Sequence, residues 1–171
     1  MNKGGAYEET AVLYRSNAQS RAIEEALLRI SIPYRIYGGL RFYERLEIKN
    51  AIAYLKIIFN NNDNPSFERS ISNPTRGVGE KTLGKIRQTA QKYNISYIKA
   101  SAKLIDEGSI SGRGGSGLRD YLEFVAGCKS FIEDNSLSDL MELIIKESGL
   151  YSYHAKEAGE KGKTRTENLE E

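Results

Sequence analysis

The opening of the chain decides the fold class, and it reads TAVLYRSNAQSRAIEEALLRISIPYRIY over residues 10–37. Residues 10–14 are an apolar run that is long enough for a buried strand. Apolar residues then recur at helical spacing, with charged residues on the opposite face, which predicts an amphipathic helix. Residues 31–33 break that helix, and residues 34–37 predict a second strand. A strand, a helix and a strand in this order predict the start of a parallel sheet, because parallel neighbours need a crossover connection.

The remainder of the chain has a helical pattern, and no further strand is evident in it. Apolar spacing and capping residues predict helices at residues 47–59, 67–71, 80–93, 96–107, 118–133 and 137–148, with a last helix near residue 166. The glycine-rich residues 108–117 are the best candidate for a domain boundary, and residues 112–117 within them predict a flexible linker. The predicted fold class is therefore α/β and mostly helical, with an incomplete parallel sheet in residues 1–108 and an all-α part in residues 109–171.

Composition excludes several classes of protein. With 39% hydrophobic residues in 171, the chain can bury a core, so wholesale disorder is excluded. We expect no membrane span, because no apolar run approaches about 18 residues. We expect no secretory signal, because no apolar stretch follows the single lysine of residues 1–9. One cysteine and one histidine exclude an intramolecular disulfide and a Cys/His zinc cage. These features predict a reduced, cytoplasmic setting. A net charge of only +2 does not by itself predict a nucleic-acid binder, although local basic patches can still serve.

The chain has no self-sufficient active site in its sequence. The closest imitation of a phosphate loop is residues 79–82, which lack the upstream glycine and do not follow a predicted strand. Residues 112–117 do not match the dinucleotide fingerprint. His154 has no Cys or Asp near it in sequence, so we expect a surface residue. Cys128 occupies an apolar position of a predicted helix, so we expect it to be buried.

Tyr14 and Arg15 form the first candidate site, because they follow a predicted strand, where α/β sheets place their ligands. A tyrosine there can stack on a base, and an adjacent arginine can clamp a phosphate and stabilise the charge that develops in phosphoryl transfer. The alternative is a tyrosine on the core and a solvated arginine, and the residues alone favour that alternative.

Residues 75–83, with the sequence TRGVGEKTL, form the second candidate site. A Gly-hydrophobic-Gly turn at a helix start presents backbone amides that can hold a phosphate, and Arg76, Lys81 and Thr82 can add contacts. We expect a side chain at Gly79 to clash with a bound DNA backbone and to strain a left-handed conformation. Helix-hairpin-helix elements share this shape, but such turns also occur simply where two helices pack. The residues alone leave both interpretations open.

Several longer blocks of the sequence resemble one family, the superfamily 1A DNA helicases of the UvrD/PcrA/Rep type. The blocks occur in the family's order, and they are AVLYRSNAQSR (11–21), IPYRIYGGLRFYER (32–45), EIK (47–49), NPTRGVG (73–79), GEKGKTR (159–165) and ENLEE (167–171). The resemblance covers nearly the whole chain from about residue 8, and the first block is similar to the family's fourth conserved motif.

The resemblance implies a division into two domains. Residues 1–108 would be the first part of the second RecA-like motor domain, with a helical extension and the Gly-Val-Gly hairpin. Residues 109–171 would begin the helical accessory domain that is inserted in it. The phosphate loop, the Walker B carboxylates and the later motifs of the family are absent from this sequence. We therefore expect the chain to be a fragment that is inactive alone, with Mg²⁺ held by the missing first motor domain.

The resemblance also assigns roles to residues. Tyr14 would pack against the adenine of ATP, and Arg15 would reach the γ-phosphate as the catalytic contact of the intact enzyme. DNA contacts would come from Thr75, Arg76, Gly77, Val78, Gly79, Lys81, Thr82, Lys161, Gly162, Lys163, Thr164 and Arg165. For residues 161–165, a solvated basic loop is an equally open alternative.

The function implied is that of an ATP-dependent 3′-to-5′ DNA helicase of bacterial repair or replication restart. This chain would supply one wall of the ATP cleft and part of the duplex-binding surface. Its expected partners are single-stranded and junction DNA, the missing motor domain of the same protein and repair proteins that dock on the accessory domain, in the bacterial cytoplasm. Two alternatives belong to other classes: a non-enzymatic helix-hairpin-helix module that binds nucleic acid, and a protein-interaction module.

Overall fold

The computed structural model describes residues 6–15, 19–37 and 41–171, and the described part is mostly helical. Its helices are α1 (Ser20–Arg29), α2 (Leu46–Phe59), α3 (Asn64–Ser72), α4 (Glu80–Tyr93), α5 (Tyr97–Asp106), α6 (Gly112–Asp134), α7 (Leu137–Glu147), α8 (Leu150–Ala155) and α9 (Glu160–Glu170). Short 3₁₀ turns cover Tyr7–Glu9 and Phe42–Glu44. No described helix combines the length and the apolar character that a membrane crossing needs.

The two predicted strands are not formed in the described residues, so this structure does not show the predicted sheet. Residues 10–14 and 34–37 have no regular secondary structure, and no strand occurs anywhere in the described ranges. A strand requires a neighbour for its backbone N–H and C=O groups, and these two segments do not pair with each other. Their apolar side chains are accordingly open to solvent: Leu13 is 94% exposed and Tyr37 is 87% exposed.

The helix predictions are confirmed for α1, α2, α4, α5 and α7. Local capping explains why α3 begins before its predicted start. We predicted this helix at residues 67–71, but α3 begins at Asn64 because the Asp63 carboxylate accepts the backbone N–H of Ser66 at 3.0 Å. Proline fits the first turn of a helix, where its missing N–H costs nothing. A capping box between Ser136 and Asp139 starts α7.

The glycine-rich residues 112–117 do not form a flexible linker, and that prediction is wrong. The helix α6 begins at Gly112 and includes the whole run. Its glycines allow close packing: a Cβ on Gly117 would lie 1.9 Å from the carbonyl oxygen of Arg76, and one on Gly115 would lie 2.9 Å from that of Ile110. Glycine is used here because any side chain would push α6 away from the chain beneath it.

One hydrophobic core extends across residue 108. The buried residues on both sides of it belong to the same cluster, and they include Ile57, Phe67 and Ile86 before it and Leu118, Tyr121, Ile144 and Leu150 after it. The Tyr121 hydroxyl and Ser70 Oγ lie 2.6 Å apart, so a polar contact in the core also crosses the boundary. The division into residues 1–108 and 109–171 remains a prediction, and the two parts share their interior.

Both of the residues considered for chemistry outside the candidate sites are buried. Burial of Cys128 is confirmed, and it raises the pKa of the thiol to about 11. His154 was expected at the surface, and this prediction is wrong, because the side chain is fully buried beside α9. Its Nδ1 lies 2.8 Å from Glu157 Oε1, so the ring has a polar partner that sequence spacing alone did not reveal.

Candidate functional site

Tyr14 and Arg15 lie next to each other just before α1. Tyr14 is half-buried and Arg15 is exposed. The backbone N–H of Arg15 donates to Gln19 Oε1 at 3.0 Å, which fixes this segment to the start of α1. Among the described residues, none forms a hydrogen bond or ion pair with the Arg15 guanidinium. Within the first sequence block, residues 16–18 lie outside the described residues.

The Gly-Val-Gly turn leads directly into α4, as predicted. Val78 is buried in the core, whereas Thr75, Gly77 and Gly79 are exposed. Gly79 is the N-cap of α4, and its carbonyl oxygen accepts the N–H groups of Thr82 and Leu83. At this exposed helix start, the amides of Glu80 and Lys81 are therefore the ones left for a ligand.

The conformational requirement for glycine falls on Gly77 and not on Gly79, contrary to our expectation. Gly77 has φ of +75°, and a Cβ there would lie 2.8 Å from Arg113 Cγ. Gly79 has φ of −92° with extended ψ, and a Cβ there would meet nothing within 4 Å. An L-residue can therefore occupy position 79 without strain.

Arg76 is engaged inside the protein. Its Nη1 donates to the carbonyl oxygens of Ser70 at 3.2 Å and Pro74 at 3.0 Å, and its Nη2 donates to that of Ser148 at 2.7 Å. The guanidinium also lies 5.5 Å from the ring centroids of both Tyr54 and Tyr121. Burial raises the pKa of each of these tyrosines, which therefore remain neutral. Arg76 thus joins the turn to α3, α6 and the end of α7.

The helix starts of α4 and α6 meet at this turn. A Cβ on Gly114 would lie 3.1 Å from the Gly77 carbonyl oxygen and 3.5 Å from Thr82 Oγ1. A surface cavity of about 280 Å³ lies alongside, and its lining includes Thr75, Arg113 and Ser116. Lys81 is exposed on the first turn of α4. Arg113 was not among the predicted site residues, although an arginine inside a run of glycines is a visible signal in the sequence.

The second predicted DNA-binding segment forms the first half of α9, and its residues differ in exposure. Lys161 and Lys163 are exposed, Thr164 is half-buried and Gly162 is buried. Thr166, just beyond them, hydrogen-bonds the preceding turn through its hydroxyl. The segment is therefore a helix and not a loop.

Arg165 is turned inward, and its side chain is only 17% exposed. Its Nη1 donates to both carboxylate oxygens of Glu157, and its Nε lies 3.6 Å from Glu47 Oε2. Hydrogen bonds from His154 and from Arg165 lower the pKa of the Glu157 carboxyl. Of the basic residues predicted to bind DNA, Lys81, Lys161 and Lys163 thus face solvent, while Arg76 and Arg165 stabilise the fold. The DNA-binding role of the whole set remains a prediction.

Comparison with known proteins identifies the family. Residues 1–108 match the family of the UvrD-like helicase C-terminal domain. The chain belongs to the UvrD-like helicases. Over 99% of its length it is 48% identical to DNA helicase II of Escherichia coli strain K12, and over 97% it is 39% identical to the ATP-dependent DNA helicase PcrA of Leuconostoc citreum. It is also 34% identical to the PcrA helicase of Staphylococcus aureus strain Mu50 over 98% of its length.

The chain spans only about a quarter of the length of these UvrD-like relatives, with 24% of the Escherichia coli protein covered and 22% of the Leuconostoc protein. The family match and these identities confirm the resemblance to the UvrD/PcrA family. Tyr14, Arg15 and the Gly-Val-Gly turn all lie within the residues that match the family, whereas residues 161–165 lie beyond them.

Proposed function

We propose that this chain is part of an ATP-dependent 3′-to-5′ DNA helicase that acts in bacterial DNA repair or replication restart. The observation that supports this most strongly is the family match, together with near-complete coverage of the chain by relatives that are named DNA helicases. A non-enzymatic nucleic-acid or protein-interaction module is not favoured, because nothing in the matched names points to one.

Tyr14 and Arg15 contribute one wall of the nucleotide cleft in this proposal. The exposed Arg15 guanidinium has the charge and the planar donors that suit a terminal phosphate, and the half-buried Tyr14 ring offers a face for the base. When bound, ATP with Mg²⁺ supplies the phosphoanhydride bond whose hydrolysis drives movement on DNA. The 171-residue chain is expected not to hydrolyse ATP alone, because we assign the Mg²⁺ and β-phosphate contacts to another motor domain of the intact protein.

The exposed N-terminal segments fit the same proposal. Residues 10–14 and 34–37 become strands of a RecA-like parallel sheet when neighbouring strands of the intact protein pair with them. The exposed Leu13 and Tyr37 side chains support this, because apolar groups of that size are ordinarily covered in a finished sheet. The helices from residue 109 onward then begin the accessory domain.

The DNA-facing surface is assigned to the turn at residues 75–82 and to the exposed lysines of α9. Backbone amides at the start of α4, with Lys81 and Thr82 beside them, contact phosphates without reading sequence. Lys161 and Lys163 add exposed positive charge. The partners are therefore DNA and the first motor domain, with repair proteins docking on the accessory part, in the bacterial cytoplasm.

Arg15→Ala in the intact helicase tests the nucleotide role. We expect DNA-stimulated ATP hydrolysis to fall by about 10³-fold or more, because an arginine at the γ-phosphate acts on charge that develops in the transition state. DNA affinity should stay within about twofold. Tyr14→Ala should instead raise KM for ATP, because stacking on the base is ground-state binding.

Arg29→Ala is the matched control for Arg15→Ala, since Arg29 is an exposed arginine at the other end of α1. It should hydrolyse ATP at the parent rate. If Arg15→Ala and Arg29→Ala have the same rate as the parent, Arg15 does not contact the nucleotide and the proposed cleft wall is wrong.

A further inference from the structure

A buried polar network connects α1 to α9. Arg45 donates through Nη2 to Ser20 Oγ at 2.6 Å and through Nη1 to Asn168 Oδ1 at 2.7 Å. Asn168 in turn donates through Nδ2 to Glu47 Oε1 at 2.6 Å. Ser20, Arg45, Glu47 and Asn168 are all buried, and 123 residues separate Arg45 from Asn168 in sequence.

The network continues to α8 through charged groups. Arg165 pairs with Glu47 and, more closely, with Glu157, whose carboxylate also meets the buried His154. The side-chain amide of Asn168 is hydrogen-bonded at both ends, because its oxygen accepts from the Arg45 guanidinium and its nitrogen donates to the Glu47 carboxylate. These two partners determine the orientation of the amide. Arg45 is also placed 5.2 Å from the centre of the Phe42 ring, so its side chain is packed as well as hydrogen-bonded.

Arg45 holds the part of the chain that carries Arg15. Ser20 is the first residue of α1, and Gln19 before it is the N-cap. Gln19 Oε1 accepts the backbone N–H of Arg15 at 3.0 Å, so the position of Arg15 depends on where α1 starts. The Arg45–Ser20 hydrogen bond fixes that start against α2 and α9.

Buried charge of this kind is weak evidence for stability. Removing a guanidinium from water is costly, and apolar residues of similar volume often stabilise a core as well as ion pairs do. The planar guanidinium of Arg45 instead fixes the geometry between its two acceptors, Ser20 and Asn168. The ammonium group of a lysine cannot reproduce this geometry. The arrangement therefore suits a residue that must set the position of another.

We propose that Arg45 is a positioning residue for the nucleotide-contacting Arg15, with Asn168 of α9 orienting Arg45 and Ser20 passing its position to α1. This inference rests on the proposed role of Arg15 at the γ-phosphate. It gives α9, far away in sequence, a direct mechanical link to the ATP site, so that ATP hydrolysis depends on the packing of the accessory part against α2.

The test is a double-mutant cycle in the intact helicase between Ser20→Ala and Arg15→Ala. Ser20→Ala removes one acceptor of Arg45 and leaves the packing nearly unchanged. We expect it to lower kcat for DNA-stimulated ATP hydrolysis by about tenfold with KM within about twofold, since misplacement of a catalytic group by 1 Å can cost about 10²-fold. In a protein that already carries Arg15→Ala, Ser20→Ala should have no further effect, because residues that act as one unit are not additive.

Two further variants keep the test decisive. Ser101→Ala is the matched control, since Ser101 is another fully buried serine, on α5, and its hydroxyl has no hydrogen-bond partner among the described residues. It should retain the parent rate. Arg45→Lys keeps the charge but cannot bridge Ser20 and Asn168, so it should reproduce the loss in kcat. Rates are normalised to the folded fraction from a thermal melt of each preparation.

The possible results separate the inference from the function on which it rests. If Ser20→Ala lowers kcat by the same factor with and without Arg15, or if Ser20→Ala and Arg45→Lys both match the parent, the positioning role is overturned while the cleft wall stands. If Arg15→Ala alone matches the parent, the proposed cleft wall fails first, and the positioning role fails with it.

Discussion

Gly77 and Gly79 provide a matched pair that separates a folding role of the turn from a DNA-binding role. Gly77→Val places a β-branched residue at φ of +75°, with its Cβ 2.8 Å from Arg113 Cγ. A left-handed conformation costs an ordinary residue about 1–2 kcal/mol, and a β-branched one more. With the displacement of Arg113 we expect a loss of about 2–3 kcal/mol in the free energy of unfolding. At about 2–4 °C per kcal/mol for a chain of this size, the melting temperature should fall by roughly 4–12 °C.

Gly79→Val should leave the fold nearly unchanged. The extended backbone at residue 79 suits valine, and the added Cβ meets nothing within 4 Å. A poorer N-cap costs up to about 1 kcal/mol, and the lower entropy of the unfolded chain returns about 0.4–1 kcal/mol. The net change is therefore within about 1 kcal/mol.

The same Gly79→Val substitution should weaken DNA binding if the amides at the start of α4 hold a phosphate, because the isopropyl group covers them. A hydrogen bond to a charged group contributes about 1.5–3 kcal/mol, so the Kd for a tailed duplex should rise about tenfold or more. Lys81→Ala should reduce the magnitude of the salt slope by about one, and Lys56→Ala, in the last turn of α2, should leave it unchanged.

Thermal melting is measured on the 171-residue chain, for which the shift was worked out. Affinity is measured on the intact helicase by fluorescence anisotropy with a labelled tailed duplex. Unchanged affinity and salt slope for Gly79→Val, beside a lowered melting temperature for Gly77→Val alone, would refute phosphate binding at this turn. The glycines would then serve only the packing of α4 against α6.

Two further predictions concern the interior. Arg76→Met should lower the free energy of unfolding by roughly 2–4 kcal/mol in urea titrations. The reason is that the carbonyl oxygens of Ser70, Pro74 and Ser148 lose their hydrogen-bond donor. If the variant instead keeps the parent stability and binds DNA more weakly, Arg76 contacts DNA and does not stabilise the fold. The stability that Glu157 contributes is complete above its ordinary pKa of 4.5 and is lost as pH falls through its lowered folded-state pKa. Glu157→Gln should therefore lose stability at neutral pH and show a shallower decline toward acid, and parallel pH curves for variant and parent would contradict this.

The helices could be predicted because their signals are local. Apolar spacing places α2 and α4 to within a residue, and the capping residues before α7 are visible in the sequence. The strands could not be predicted reliably, because an apolar run such as residues 10–14 becomes a strand only when a neighbour pairs with it. The sequence blocks that resemble the family identify such a segment, but they do not show which secondary structure it adopts in this chain.

The candidate sites were found in part, for a related reason. The sequence places Arg76, Lys81 and Arg165 in basic segments, but whether a guanidinium is free depends on acceptors that only folding brings near. Arg76 meets the Ser148 carbonyl oxygen 72 residues away, and Arg165 meets Glu47. The glycine run from residue 112 misleads in the same way, because glycine permits both looseness and the closest packing, and composition does not distinguish them.

The interior shared across residue 108 has a mechanical consequence. Close-packed protein interiors are hardly compressible and transmit strain, so a push on α2 is passed to α6 and α7 without a soft joint between them. A body packed this way has no hinge at its glycine-rich residues 112–117, which lie within α6. If the proposed division holds, rotation of residues 109–171 against the motor domain must use a pivot elsewhere. The rigid body that contains Tyr54, Ser70 and Tyr121 would then pass a displacement at the proposed nucleotide site on to the proposed DNA-binding turn.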